Sequence, residues 1–286
     1  MHSTTRSIRA RAVAVPSVLV ALTVALTGAL VVALVAPAAL AAPGPPGHPA
    51  AVAPGRPSEQ PAAPHRLTAA GDFSYLYASA FAYGPATRMS ARLASARPAV
   101  DAADHHSLVE LAMVSADGQQ IVEVGWTVDR AVNGDARPHL FVYHWVDGQP
   151  SCYNACGFVS TSAALRPGGL LHPADGPQPY ALAHVVDRWW VSVGGRRLGY
   201  FPDSLWQGRF TRADEQVWFG EVAAGSGRPC TDMGNGRAPT PTSGQLLSDL
   251  ATDLGPVTPA LSATDRTLYD VVLAPGGIRL GGAGAC

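Results

Sequence analysis

Two of the five glutamates in this chain stand where a charged side chain is costly. In the run Ile121-Val122-Glu123-Val124-Gly125-Trp126-Thr127-Val128, the period of a strand puts Val122, Val124, Trp126 and Val128 on one face. Ile121, Glu123, Gly125 and Thr127 fall on the other, so Glu123 points away from the expected core. In Val217-Trp218-Phe219-Gly220-Glu221-Val222, the same parity groups Glu221 with Val217 and Phe219, so its carboxyl emerges among large apolar groups. Apolar surroundings raise a carboxyl pKa by desolvation, and a second carboxylate nearby raises it further. A pair that shares one proton can supply a general base for a water and a general acid, as paired carboxylates do in aspartic proteases and glycosidases. The glycines at 125 and 220 would leave room for a ligand backbone to approach. The competing reading is that each glutamate is solvated, or paired with an arginine such as Arg137.

The elements that must position these residues read as strands. Short segments rich in β-branched and aromatic residues fall at 107–115, 120–128, 140–146, 157–162, 180–186, 189–193, 216–222 and 267–274, separated by Gly, Pro, Asn and Asp clusters. Asn133-Gly134 is a turn signal, because both residues accept positive φ. With no amphipathic helices between them, the strands predict an all-β protein, an antiparallel β-sandwich of jelly-roll type. A short helix is expected to open the domain, at 75–82 or at 88–96. All six tryptophans lie between Trp126 and Trp218, and most are expected in the core.

The N-terminus reads as processing and spacing rather than fold. Arg6, Arg9 and Arg11 precede a chargeless run over 12–41 that ends in Ala39-Leu40-Ala41, the pattern of a cleaved secretory signal over 1–41. An uncleaved membrane anchor over 18–36 is the alternative. Residues 42–66 hold prolines and glycines with no aromatic residue and are expected to be a disordered linker. Residues 67–286 then form one domain. All four cysteines lie in this exported part, where disulfides persist. Four cysteines allow three connectivities. The close spacing of Cys152 and Cys156 points to a local bridge, leaving Cys230 to pair with Cys286, a link worth about 4 kcal/mol in the chain-entropy model. Metal binding by these cysteines is the alternative, but no CxxC pair is present.

Composition removes several classes. The chain has no lysine, which excludes P-loop phosphate binding, imine catalysis and pyridoxal phosphate anchoring. The formal charge of −1 offers no surplus for a nucleic-acid backbone. There is no Gly-x-Ser-x-Gly elbow and no His-Glu-x-x-His. His139 and His144 lie five apart on opposite strand faces and are expected to be ordinary polar residues rather than joint ligands. No metal and no cofactor is expected.

Nine segments in order carry a resemblance to a known family. They are 122–128 with its Glu-x-Gly-Trp, Gly134-Asp135, Leu140-Phe141 with Tyr143, 152–154, 156–159, Trp189-Trp190, 199–205, 220–222 with its Gly-Glu-Val, and 231–236. In this order they resemble the neprosin family of secreted glutamic peptidases. The resemblance implies an antiparallel β-sandwich with its active site on a concave sheet face, and acid endopeptidase activity with preference for cleavage after proline. It places the two catalytic glutamates on Glu123 and Glu221. His139, His144 and Phe219 depart from the common plant pattern. Tyr200 and Trp206 are the candidates for peptide contacts, with core packing as their other role. The expected partner is a peptide or protein substrate, with no nucleic acid and no stable membrane association, and the expected state is a secreted monomer. A glycosidase-like or lyase sandwich using the same carboxyls, or a non-catalytic sandwich binding cell-wall polymer, are the competing functions.

Overall fold

The computed structural model describes residues 52–56, 73–225 and 228–286. The expected signal lies outside the described residues, as does most of the proline-rich stretch. The strands in chain order are β1 (Ser74–Ala86), β2 (Arg88–Leu93), β3 (His106–Val114), β4 (Ile121–Asp129), β5 (His139–Val146), β6 (Gln149–Pro150), β7 (Val159–Ser160) and β8 (Gln178–Val185). They continue with β9 (Arg188–Val193), β10 (Arg196–Pro202), β11 (Ala213–Ala224), β12 (Gln245–Thr252), β13 (Gly255–Pro256), β14 (Ala260–Ala263), β15 (Asp270–Ala274) and β16 (Gly277–Gly281).

Among the described residues these form two antiparallel sheets. The front sheet runs β14-β1-β11-β3-β4-β5-β6, and the back sheet runs β15-β16-β12-β2-β8-β9-β10-β7 with β13 on the side of β12. Alternation decides what each strand contributes. Val109, Leu111 and Met113 of β3, Val122, Val124, Trp126 and Val128 of β4, and Trp218 and Val222 of β11 meet Met89, Leu182, Trp189, Val191, Leu247 and Leu280 from the back sheet. Each such side chain removed from water stabilises the sandwich by about 1.5–3 kcal/mol. The predicted core face of 122–128 is the observed one, and the antiparallel sandwich stands as expected.

The expected opening helix is absent from both places. Residues 75–82 lie in β1 and residues 88–93 in β2. Alanines at 78, 80 and 82 favour a helix, but Tyr75, Tyr77 and Phe81 pack on one face of the front sheet while Leu76, Ala78 and Ala80 pack into the core on the other. Pairing with β11 along this whole stretch outweighs propensity. The Asn133-Gly134 signal marks the end of a single helical turn, α1 (Arg130–Asn133), closed by Gly134 at φ 77°. Both expected disulfides are present, with Cα–Cα distances of 5.8 Å for Cys152–Cys156 and 5.1 Å for Cys230–Cys286. Among the described residues no helix is long and apolar enough to cross a membrane.

Candidate active site

The strand register places the two predicted glutamates on one sheet face and adds a third. Across β11, β3 and β4, Glu221 is level with Leu108 and Thr127. Two residues along, Phe219 is level with Glu110 and Gly125; two further, Val217 is level with Ala112 and Glu123. Glu221, Glu110 and Glu123 therefore lie on a diagonal over three neighbouring strands, on the front-sheet face turned away from the core. Diagonal neighbours of this kind have Cα atoms about 7–8 Å apart, within reach of long side chains. All three carboxyls are fully buried, at 0% exposure. The reading in which they are solvated or held by Arg137 fails: Arg137 instead pairs with Asp135.

What covers them is a second apolar cluster. Tyr75, Tyr77 and Phe81 of β1, Phe141, Tyr143 and Trp145 of β5, and Val217 and Phe219 of β11 wall the face. Tyr153, carried by the loop that the Cys152–Cys156 bridge pinches, stacks edge-on against Phe141 at 5.6 Å and Tyr143 at 5.2 Å. The remaining cover comes from residues 52–56, inside the stretch expected to be a disordered linker. Val52 and Ala53 pack on this cluster. Tyr75 donates its hydroxyl proton to the carbonyl of Ala53 at 2.7 Å, and the Gly55 amide donates to Oε2 of Glu221 at 2.8 Å. Proline-rich composition argues against a self-sufficient core but not against lying on one already built.

The three carboxyls differ in their partners. Glu221 Oε1 lies 2.7 Å from Nε2 of His106, whose Nδ1 is 3.7 Å from Oδ2 of Asp129, an ion-pair rather than a hydrogen-bond distance. Asp129 is itself fixed as the cap of α1, accepting from the amides of Ala131 at 2.8 Å and Val132 at 3.0 Å. Burial alone would depress the His106 imidazole, but Asp129 and Glu221 more than reverse this and raise it from 6.5 to about 9. Glu221 thus has the His106 imidazole on one carboxyl oxygen and a backbone amide on the other. Glu123 has a different setting. Burial pushes it well above its ordinary range, the Glu221 charge adds to the effect, and the indole N–H of Trp145, donated to Oε1 at 3.0 Å, only partly opposes it. Glu110 is pushed the same way by burial and by the Glu123 and Glu221 charges, and neither of its oxygens has a hydrogen-bond partner among the described residues. Two carboxyls pushed upward by burial thus stand beside a third whose oxygens are both held by neighbours, an asymmetry that acid–base catalysis can use.

The sequence model of the family described as Neprosin matches residues 103–251. The chain belongs to the neprosin family. Solved structures similar in outline include a scytalido-glutamic peptidase with a peptide-based transition-state analog, at 8% identity and TM-score 0.42, covering 73% of this chain and 98% of that one. The same peptidase with a transition-state analog inhibitor gives 8% identity, TM-score 0.44 and the same coverage. A glycoside hydrolase family 16 endo-glucanase from Bacteroides ovatus gives 12% identity and TM-score 0.30, covering 55% of this chain and 70% of that one. These scores are too low to bear on function, and the family assignment rests on residues 103–251 alone.

In this neprosin-family chain the other predicted contacts fall elsewhere. Trp206 is in the core between the sheets, donating its indole N–H to the Trp145 carbonyl at 2.8 Å. Tyr200 is on β10 of the back sheet, beside Trp190 and under the Arg188 guanidinium at 4.5 Å. Neither is on the carboxyl face. The glycines also have other tasks. A Cβ at Gly125 would sit 2.4 Å from the Glu110 Cβ, so this glycine admits the third carboxyl rather than a ligand; one at Gly220 would meet Leu280 and Met233 in the core. Sequence reasoning passed over Glu110, although the parity applied to Glu123 would have put it with Leu108 and Ala112. It passed over His106 and Asp129 because no pattern ties those residues to Glu221 before the register is known.

Proposed function

We propose that this chain is a secreted endopeptidase of the glutamic type that cleaves after proline under acid conditions, with Glu221 and Glu123 as its catalytic pair. The carrying observation is the contrast between the two: both oxygens of Glu221 are held, by the His106 imidazole and the Gly55 amide, whereas burial pushes the Glu123 carboxyl well above its ordinary range. Glu221 takes a proton from a water that attacks the scissile carbonyl. Glu123, still protonated, donates a hydrogen bond to the oxygen on which charge develops, and Glu221 then passes its proton to the departing amide nitrogen. Glu110 completes the neutral environment between them. Membership of the neprosin family supports a peptidase, and the two disulfides fit export to an oxidising compartment. Because Glu123 must hold its proton, activity declines as pH rises through its elevated pKa. The test is digestion of a proline-containing peptide at pH 4 with mass spectrometry of the products. New C-termini at proline are expected; an intact peptide, or cuts unrelated to proline, would contradict this reading.

A further inference from the structure

The two carboxyls of the proposed pair stand on strands that are not neighbours: Glu221 is on β11 and Glu123 on β4, with β3 between them. Glu221 is level with Thr127, four residues along β4 from Glu123. The point midway between them, both across and along the sheet, is Glu110, level with Phe219 on one side and Gly125 on the other. It is one diagonal step, about 7–8 Å between Cα atoms, from each member of the pair. A peptide bond that both Glu221 and Glu123 touch therefore lies over Glu110. The neighbours of Glu110 along this face of β3, Leu108 and Ala112, have apolar side chains that offer such a bond no donor. Beside it, a Cβ at Gly125 would fall 2.4 Å from the Glu110 Cβ, so the glycine leaves this carboxyl its place.

Hydrogen bonding on the face points to the same spot. Both oxygens of Glu221 are held, by His106 and Gly55, and Oε1 of Glu123 is held by Trp145. Of the six oxygens on the three glutamates, those without a partner among the described residues are Oε2 of Glu123 and both oxygens of Glu110. Leaving a buried polar group unmatched costs about 1–3 kcal/mol, which a substrate oxygen placed between these two side chains would offset. Burial, then the Glu123 and Glu221 charges, raise Glu110 well above the ordinary carboxyl range, so it has an O–H to donate. The next titratable groups outward are Tyr77 of β1, level with Glu221, and Tyr143 of β5, level with Glu123. We infer that Glu110 is a third catalytic residue: its O–H, together with that of Glu123, holds the scissile carbonyl oxygen as negative charge develops there. The inference rests on the peptidase function proposed above and adds a second oxyanion donor to it. Glu110 keeps its proton throughout. The proton taken from water still passes through Glu221 to the departing nitrogen, so no bond to Glu110 is made or broken.

The experiment compares the full chain with Glu110→Leu and Glu110→Gln on one proline-containing peptide, with kcat and KM measured separately from pH 3 to pH 8 and folding checked by circular dichroism. Glu110→Leu keeps the bulk and removes the donor, so kcat at pH 4 should fall by about 10²–10³-fold while KM changes less than about threefold. Glu110→Gln puts an N–H where the O–H stood and should keep kcat within about tenfold of the parent. Its alkaline limb should lie at higher pH than the parent's, because the amide cannot ionise and Glu123 alone is left to lose a proton. A residue that merely filled space would leave kcat intact in Glu110→Leu, since leucine removes an unmatched polar group. Parent kcat in Glu110→Leu would overturn the inference. So would an alkaline limb of Glu110→Gln at or below the parent's, a result that does not depend on the leucine variant folding. Glu123→Gln and Glu221→Gln, assayed alongside, separate the two levels. If both are slow and Glu110→Leu is not, the third role alone falls; if either cleaves at the parent rate, or the parent leaves the peptide intact, the peptidase mechanism falls with it.

Discussion

Replacing Glu110 with glutamine isolates the energetic consequence of burying a third carboxyl. Glu110 is fully buried and makes no hydrogen bond among the described residues, so its only way to remain inside is to stay protonated. Its pKa in the fold lies well above the ordinary 4.5, chiefly through desolvation and then through the Glu123 and Glu221 charges. A carboxyl raised in the fold costs nothing while both states are protonated. Above the unfolded value, the unfolded chain sheds its proton and the folded one does not. Stability then falls by about 1.4 kcal/mol per pH unit for as long as the folded carboxyl stays neutral. Glutamine has nearly the same shape and no such proton. Its amide adds donors that need partners, an offset of about 1–3 kcal/mol that does not change with pH. The test is urea unfolding of both proteins at pH 4, 5 and 6. The difference in unfolding free energy should be flat near pH 4 and then move in favour of Glu110→Gln by about 1.4 kcal/mol from pH 5 to pH 6. A difference that stays constant across that range would refute the view that Glu110 is an unpartnered neutral acid.

Three further outcomes follow from the contacts of the site. His106→Asn removes the cation that lies between Glu221 and Asp129, so a stability loss of about 3–5 kcal/mol is expected. In the parent, the stability contributed by His106 is complete below pH 6.5 and is lost as pH rises through about 9, which thermal melts across that window will show. Trp145→Phe removes the indole donor to Glu123, so the alkaline limb of activity should move to higher pH. Among the bridges, replacing Cys230 and Cys286 by serine should cost about 4 kcal/mol, while replacing Cys152 and Cys156 should cost about 2 kcal/mol but raise KM, because Tyr153 loses its hold over the face.

Much of the site was legible where one strand's own pattern was enough. The period of two in 121–128 separated Glu123 from its core neighbours, and the same parity in 217–222 put Glu221 beside Phe219. Cysteine spacing gave the bridges. What was hidden depends on partners distant in sequence. Glu110 sits in an almost wholly apolar strand, Leu108-Val109-Glu110-Leu111-Ala112-Met113, and its importance comes from being diagonal to two glutamates on different strands. His106 follows another histidine, and nothing local says which of them meets Glu221. The alanines of β1 favoured a helix because the long pairing with β11 is invisible until the sheet exists. The segment at 52–56 has the composition of a spacer, and it is ordered by the face it covers rather than by itself.

The account turns on two buried carboxyls that both act on the scissile bond, and kcat/KM for Glu123→Gln and Glu221→Gln on one proline-containing peptide at pH 4 tests that most directly. Each substitution keeps the shape and removes one proton-handling group, so each should lower kcat/KM by roughly 10²–10⁴-fold while the fold is retained. Hydrolysis at the parent rate by either folded variant would contradict the two-glutamate mechanism.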